Sequence, residues 1–387
     1  MKKMSTFLFS LILILTLCSC GQNAVDTPQK DEPPVIDASN DGKISLLMAG
    51  DVLLHERVIE SGKLPDGSYS YNHLFENLKD EISGSDIAIV NQEVILGGEE
   101  LGISGYPCFN GPFEVGDALA EAGFDIVLHA SNHALDKGKA GLVSCLNFWR
   151  DKHPDIKVMG IKDDKSIPNL TVIEKEGIKV AFLNYTYGTN GIPLPSDMPY
   201  CVELLTRDRL GIIKAEIAAA REAADIVCVL PHWGTEYVYE PDSSQEYWTD
   251  VFFQSGVDIV IGAHPHVIEP VKVIEDENHS MLVYYSIGNY VNATNEWDMK
   301  NVGNRMLGAL ADIEITRSEN GVSVSRYGVI PIVAHIETDA PEKLTVYRLD
   351  EYSEALAAEN EIVAQDSTFS LSKLQSLCED VFGELYE

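Results

Sequence analysis

Short, continuous apolar runs recur along the chain from residue 44, each separated from the next by a stretch with helical spacing. The runs are Ile44–Ala49, Ile87–Val90, Ile126–His129, Val180–Tyr185, Ile226–Leu230, Ile259–Ile261 and Leu282–Tyr285. Most are rich in β-branched residues and lack polar alternation, as strands covered on both faces should be. Between them, Glu114–Ala122, Gly138–Trp149, Leu205–Ala224 and Ser243–Ser255 read as amphipathic helices. Strand alternating with helix restricts the chain to an α/β fold. Four strand entries share an aspartate just before the apolar run, at Asp86, Asp125, Asp225 and Asp258. We read this as common αβ-loop chemistry rather than a domain repeat. Residues 306–336 change character: Leu310–Ile315, Val322–Tyr327 and Val329–Val333 read as antiparallel strands, with Glu319-Asn320-Gly321 as a hairpin turn. The last stretch, 337–387, reads as an acidic, helical extension of a domain spanning 44–336.

The strands end on unusual residues. Ile44–Ala49 leads into Gly50-Asp51, with His55 beyond; Ile87–Val90 into Asn91-Gln92-Glu93; and Ile126–His129 into Ser131-Asn132-His133 and Asp136. Ile226–Leu230 leads into His232-Trp233-Gly234 and Glu236, Ile259–Ile261 into His264-Pro265-His266, and Leu282–Tyr285 into Ser286-Ile287-Gly288-Asn289. Sites in open α/β sheets lie at the carboxyl edge of the strands, so these loops should meet in one crevice. Singly, each residue has an ordinary role: Asp51 or Asp136 as a cap or turn former, Trp233 as core. Together they form a set of imidazoles, carboxylates and an amide that suits Zn, Mn, Fe, Co or Ni. No cysteine lies in these loops, which argues against a structural zinc.

Charge narrows the partners. Of 387 residues, 61 are acidic and 28 basic, a formal net charge of −33. That field repels nucleic acid and anionic headgroups. An anionic substrate would need a local positive centre, which a bound metal supplies. The amino terminus sets the expected location. Lys2 and Lys3 precede the apolar run Phe7–Leu17, which ends in Leu17-Cys18-Ser19-Cys20-Gly21. This is the layout of a lipoprotein signal, residues 1–19, with Cys20 as the lipidated residue and 20–43 as a flexible Pro- and Asp-containing tether. Five further cysteines, Cys108, Cys145, Cys201, Cys228 and Cys378, show no regular spacing, so no disulfide framework is expected.

The ordered motifs Gly50-Asp51, Asn91-Gln92-Glu93, Ser131-Asn132-His133-Ala134-Leu135-Asp136, His232-Trp233-Gly234-Thr235-Glu236, Gly262-Ala263-His264-Pro265-His266 and Ser286-Ile287-Gly288-Asn289-Tyr290 resemble the bacterial CapA family of capsule and poly-γ-glutamate synthesis proteins. That family is related to the calcineurin-like metallophosphoesterases. The resemblance covers 44–293 and implies a four-layer α/β/β/α sandwich of two mixed sheets around two divalent metal ions, Mn, Zn or Fe. By motif, Asp51 and His266 would hold one ion and Asn132, His232 and His264 the other. Glu93 would bridge them. His133 would contact substrate and protonate a leaving group, with Asp136 orienting it. His55, Asn91, Trp233, Glu236 and Asn289 are candidates for the substrate pocket. Two features depart from the metallophosphoesterases: the first motif lacks its Asp-x-His, and Glu93 stands where they carry a bridging Asp. The function implied is a metal-dependent hydrolase or transferase acting on an anionic cell-envelope polymer or its precursor, alongside other capsule-synthesis membrane proteins. The alternative is a non-enzymatic accessory that exports, anchors or binds capsule polymer.

Overall fold

In chain order the strands are β1 (Lys43–Val52), β2 (Ile87–Asn91), β3 (Ile126–Leu128), β4 (Lys157–Met159), β5 (Thr171–Lys175), β6 (Ile178–Thr186), β7 (Ile226–His232), β8 (Ile259–Ile261), β9 (Val271–Glu275), β10 (Ser280–Tyr284), β11 (Asn289–Val291), β12 (Leu307–Ser318), β13 (Gly321–Ile336) and β14 (Leu344–Arg348). The helices are α1 (Glu56–Ser61), α2 (Lys79–Gly84), α3 (Phe113–Ala122), α4 (Gly138–Lys152), α5 (Leu210–Ala223), α6 (Ser243–Gln254), α7 (Glu354–Glu359) and α8 (Leu371–Phe382). This computed structural model describes residues 42–294, 296–297, 299–337 and 343–386. The expected signal segment, Cys20 and the tether up to residue 41 lie outside the described residues.

The strands form two mixed sheets. The first runs β14-β13-β12-β1-β2-β3-β4, with β11 also pairing β1; the second runs β5-β6-β7-β8-β10-β9. In the first, β1 to β4 are mutually parallel and β12 to β14 antiparallel. In the second, β6, β7, β8 and β10 are parallel, and β5 and β9 are antiparallel edges.

Period-two alternation along the strands builds the layers. On β7, Ile226, Cys228 and Leu230 join Leu46, Met48, Ile89 and Ile313 of the first sheet in a core between the sheets. Val227 and Val229 face the other way, onto Ile213 and Ile217 of α5 and Trp248 and Phe252 of α6. The outer face of the first sheet packs α3, α4 and α8 through Leu119, Leu142 and Leu374. The architecture is therefore helix, sheet, sheet, helix.

The aspartates before the strands act as staples. Asp86 Oδ2 accepts the Ser45 backbone N–H at 2.8 Å, and Asp125 Oδ2 that of Ala88 at 2.8 Å. Asp225 Oδ2 accepts the Lys179 N–H at 2.9 Å, and Asp258 Oδ2 that of Val227 at 2.7 Å. Each carboxylate thus satisfies a donor at the start of the neighbouring parallel strand, where the ladder has not yet begun.

Three expectations need amendment. The region 306–336 holds two long strands, β12 and β13, rather than three; the register slips once, between Glu314 and Ile315. The carboxyl-terminal extension is not purely helical, because β14 pairs with β13. The short or half-exposed strands β4, β5 and β9, and the buried three-residue β11, carried too little apolar signal to be read. Among the described residues, the five cysteines are all free thiols, four of them buried, Cys228 included. No helix there is long and apolar enough to cross a membrane.

Candidate metal centre and cleft

Parallel β1, β2 and β3 of one sheet and β7 and β8 of the other deliver their carboxyl ends to one edge of the sandwich. Register does the fine placement. Asp51 is in register with Asn91 of β2 on one side and Asn289 of β11 on the other. Gly50 allows this: a Cβ there would meet the Gly288 carbonyl oxygen at 2.0 Å. Asn91 Nδ2 then donates to Asp51 Oδ1 at 2.7 Å. Asp51 Oδ2 accepts the His264 backbone N–H at 3.1 Å and lies 3.2 Å from His266 Nδ1.

The His264-Pro265-His266 loop is held in costly backbone. His264 and His266 have φ of 101° and 58°, left-handed values that L-residues avoid. The Tyr237 N–H to the Pro265 carbonyl, at 2.8 Å, and the Asp51 contact to His264 hold the turn. Strain of this kind collects where geometry serves a site.

Glu93 occupies the centre. Its Oε1 lies 3.6 Å from His232 Nε2 and 3.7 Å from His266 Nε2. Ligand atoms of Glu93, His264 and His266 all lie within 4.8 Å of one another. Asn132 Oδ1 lies 2.9 Å from His232 Nε2. Asp51, Glu93, Asn132, His232, His264 and His266 are all buried. Neither Glu93 oxygen has a hydrogen-bond partner, and neither does His264 Nδ1. Such orphaned buried atoms are rare in folded proteins. A carboxylate and imidazole nitrogens left open towards a common point are the donor set of a divalent cation site, so the residues fit a metal.

Without a cation, the buried carboxylates and imidazoles neutralise one another. Burial pushes the Glu93 carboxyl up, but the surrounding His266 and His232 imidazoles outweigh it and hold the group well below the usual carboxylate range. Burial, then repulsion from His232 and His266, keeps His264 neutral. Burial also opposes charge on His266, yet Glu93 and Asp51 raise its pKa to about 9.

A cleft of about 530 Å³ opens beside this cluster, lined in part by His55, Asn132, His133, Asp136, Glu236 and His266. His133 Nδ1 lies 2.7 Å from Asp136 Oδ2, and its ring meets Phe109 edge-on at 4.7 Å. Burial and the His266 ring beside it lower the His55 pKa to about 4. Asn91 and Asn289 stand behind the cluster rather than in the cleft. Asn91 contacts Asp51 and, at 3.3 Å, His232 Nδ1, while Asn289 Oδ1 faces His266 Nδ1 at 3.0 Å.

Trp233 corrects an expectation. It does not line the cleft: it is packed in the outer core of the second sheet, with Nε1 donating to the Tyr285 carbonyl at 2.9 Å. The reason is alternation, since it follows His232 and so points to the opposite face.

Several cleft residues escaped the sequence reading. Asn190 lies 3.4 Å from His133 Nδ1 and 3.3 Å from Asn132 Nδ2. The Tyr187 ring lies 4.7 Å from that of His264 at a tilt of 46°, and that of Tyr237 lies 6.0 Å from that of His266. Arg305 is buried, with its guanidinium 3.5 Å over the Tyr237 ring and Nη1 2.7 Å from Glu296 Oε2. Tyr187 directly follows β6, whose end carries no imidazole or carboxylate to mark it; the other three belong to no strand-end motif.

Comparison with known proteins agrees with the motif reading. The family model described as bacterial capsule synthesis protein PGA_cap matches residues 45–294. The chain is 28% identical over 233 residues to the PGA biosynthesis protein CapA of Bacillus subtilis (strain 168), covering 58% of this chain and 55% of that protein. It is 26% identical over 277 residues to the capsule biosynthesis protein CapA of Bacillus anthracis, covering 67% of this chain and 62% of that one. Thus the chain matches little more than half the length of either relative. Among solved structures it is similar to the calcineurin-like phosphoesterase YfkN from Bacillus subtilis, with TM-score 0.40, 11% identity, and 88% of this chain and 97% of that one covered. A Mycoplasma pneumoniae phosphatase gives TM-score 0.42 and 15% identity, with 76% and 94% covered. With most of its described body matched by one family model in an unbroken span, the chain belongs to the bacterial capsule synthesis protein PGA_cap family.

Proposed function

We propose that this protein is a metal-dependent hydrolase or transferase of capsule synthesis, exported and held at the membrane through lipidated Cys20. Its substrate is a cell-envelope polymer or the phosphorylated precursor of one. The observation that carries the reading is Glu93: a buried carboxylate with both oxygens unpartnered, set between His232 and His266 at the wall of an open cleft. The names of the two Bacillus relatives support the link to capsule and poly-γ-glutamate.

Asp51 and His266 would hold one divalent ion, and Asn132, His232 and His264 a second, with Glu93 between them. Manganese, zinc and iron all suit these donors. Bound there, such a pair supplies Lewis acidity towards a phosphoryl or carbonyl oxygen and makes water a nucleophile at neutral pH. The chain's own residues do the rest. Asp136 accepts from His133 Nδ1, so a second proton, carried on Nε2 when the ring is an imidazolium, would be the one it transfers. The leaving oxygen or nitrogen takes that proton as its bond to phosphorus or carbon breaks. Asn190 and Phe109 keep the imidazole in place. Asn289 orients His266 from behind.

The test is elemental analysis of the purified protein followed by turnover on a panel of phosphoesters and polyglutamate or peptidoglycan amides. The reading expects bound metal and turnover that His266→Ala abolishes. Metal-loaded protein inert on every member of the panel would favour the accessory role, in which the site holds polymer without cleaving it. Localisation is checked separately: Cys20→Ala should release the protein from the membrane fraction.

A further inference from the structure

The cleft wall carries exposed apolar side chains beside its polar centre. Eleven large hydrophobic side chains are exposed among the described residues; two of them, Tyr106 and Met299, line the cleft, and three more, Tyr187, Val238 and Trp297, neighbour site residues in the chain or in space. Trp297 stands in the chain between the cleft residues Glu296 and Met299, and Val238 follows the cleft residue Tyr237. The ring of Tyr187 lies 4.7 Å from that of His264. All five are between 39% and 72% exposed. Single exposed hydrophobics are ordinary; exposed hydrophobics grouped at a polar cleft mark a binding surface.

Charge says what that surface takes. No lysine or arginine is among the described residues lining the cleft, while Glu236 and Glu296 are. Glu296 is matched by Arg305, which lies behind it and is itself buried. A polyanion laid along these walls would meet carboxylates and no cation, within a chain of net charge −33. One anionic group can be met at the histidine and glutamate cluster once cations are there. The charge disfavours an anionic extension from that group, and the exposed Tyr106 and Met299 side chains suit an apolar one.

Resting on the hydrolase reading above, we propose that the substrate is an amphipathic phosphoester, a lipid-linked precursor whose phosphate enters the cleft while its hydrocarbon chain lies across Tyr106, Val238, Trp297 and Met299. Such a substrate lives in the bilayer. Cys20, as the proposed lipid anchor, would hold the chain at the surface of that bilayer.

Trp297 provides the readout. Of the four tryptophans, Trp149, Trp233 and Trp248 are buried, and Trp297 alone is exposed. We would titrate the manganese-loaded protein with decylphosphonate below its micellar concentration, and with methylphosphonate and decanol. Affinities come from calorimetry and the surroundings of Trp297 from its emission. The expected result is decylphosphonate binding at least tenfold tighter than methylphosphonate, with a saturable blue shift that Trp297→Phe removes. The double variant Tyr106→Ser, Met299→Gln should erase the tenfold gain. Equal affinities for the two phosphonates would overturn the lipid chain and leave the phosphoester site standing. Decanol binding as tightly as decylphosphonate would show a general apolar contact and overturn the proposal. If neither phosphonate binds, the phosphoester reading itself fails and the proposal fails with it.

Discussion

Asp136 Oδ2 stands 2.7 Å from His133 Nδ1, and the same oxygen accepts the Phe109 backbone N–H at 2.7 Å. One carboxylate therefore fixes both the imidazole and the aromatic wall it leans on. If His133 is the general acid, His133→Ala should lower kcat by about 10²–10⁴-fold on a phosphoester with a poor alkoxide leaving group. The loss should be much smaller on a nitrophenyl ester, whose leaving group needs no proton. Asp136→Asn should show the same pattern to a lesser degree. Metal content should be unchanged in both variants. Equal losses on the two leaving groups would remove His133 from the proton step.

Glu93 makes a different prediction. Glu93→Gln keeps the shape of the side chain and deletes the charge that faces His232 and His266. Partners outside the coordination shell typically cost 10–100-fold in metal affinity. A bridging carboxylate should cost more than about 100-fold, measured by calorimetric titration with Mn²⁺ and by metal content after dialysis. Full occupancy with unchanged affinity would place Glu93 outside the centre.

Much of this site was legible because parallel strands buried on both faces announce themselves as unbroken apolar runs. The residue after each run is then at the sheet's carboxyl edge. Asp51, Glu93, Asn132, His232, His264 and His266 could be gathered in this way, and the structure brings all six together. Trp233 was misplaced although the information was present: Ile226, Cys228 and Leu230 face inward, so the odd-numbered position after His232 faces out. Tyr237, Asn190 and Arg305 were beyond reach for a different reason. Their roles depend on backbone turns, φ of 65° at Tyr237 and 49° at Asn190, and on packing between distant segments. Edge strands β5 and β9 were also missed, since their half-exposed sequences look like loops.

Glu269 predicts how stability responds to pH. Its Oε2 accepts from Gln245 Nε2 at 2.6 Å, and its Oε1 is buried without a partner. Burial, aided by the nearby Asp242 and Glu240 charges, raises its pKa from 4.5 to about 8. Below about pH 4.5 the folded and unfolded states both hold the proton, and this group contributes no pH dependence. Between there and about pH 8 the folded state alone holds it, so stability falls as pH rises, and then levels off. The whole effect is on the order of 5 kcal/mol. Glu269→Gln retains an acceptor for Gln245 and should flatten that slope, making the variant more stable than the parent at pH 9. Denaturant midpoints at pH 5, 7 and 9 test it. Parallel profiles for the two proteins would mean that Glu269 is charged in the fold.

Asp366 ties the carboxyl-terminal extension to the cleft. Its Oδ2 accepts the Gly303 backbone N–H at 3.1 Å, while Gln365 bonds the Glu296 N–H at 2.9 Å and the Thr294 carbonyl at 3.0 Å. Gly303 fits tightly there, because a Cβ would meet Phe369 at 2.9 Å and Asp366 at 3.1 Å. Two residues on, the Arg305 carbonyl accepts from Asn289 Nδ2 at 3.0 Å, and Asn289 Oδ1 faces His266 Nδ1 at 3.0 Å. The extension therefore reaches His266 through hydrogen bonds and the short backbone segment from Gly303 to Arg305. Asp366→Ala leaves the Gly303 N–H buried without its acceptor and should cost about 1–3 kcal/mol. Hydrogen exchange should quicken first in 299–306, ahead of the sheets, because the loss is local. Manganese affinity should weaken modestly as His266 loses part of its backing. Exchange that quickens evenly across both sheets, with manganese affinity intact, would show the extension to be a brace for the fold and not for the site.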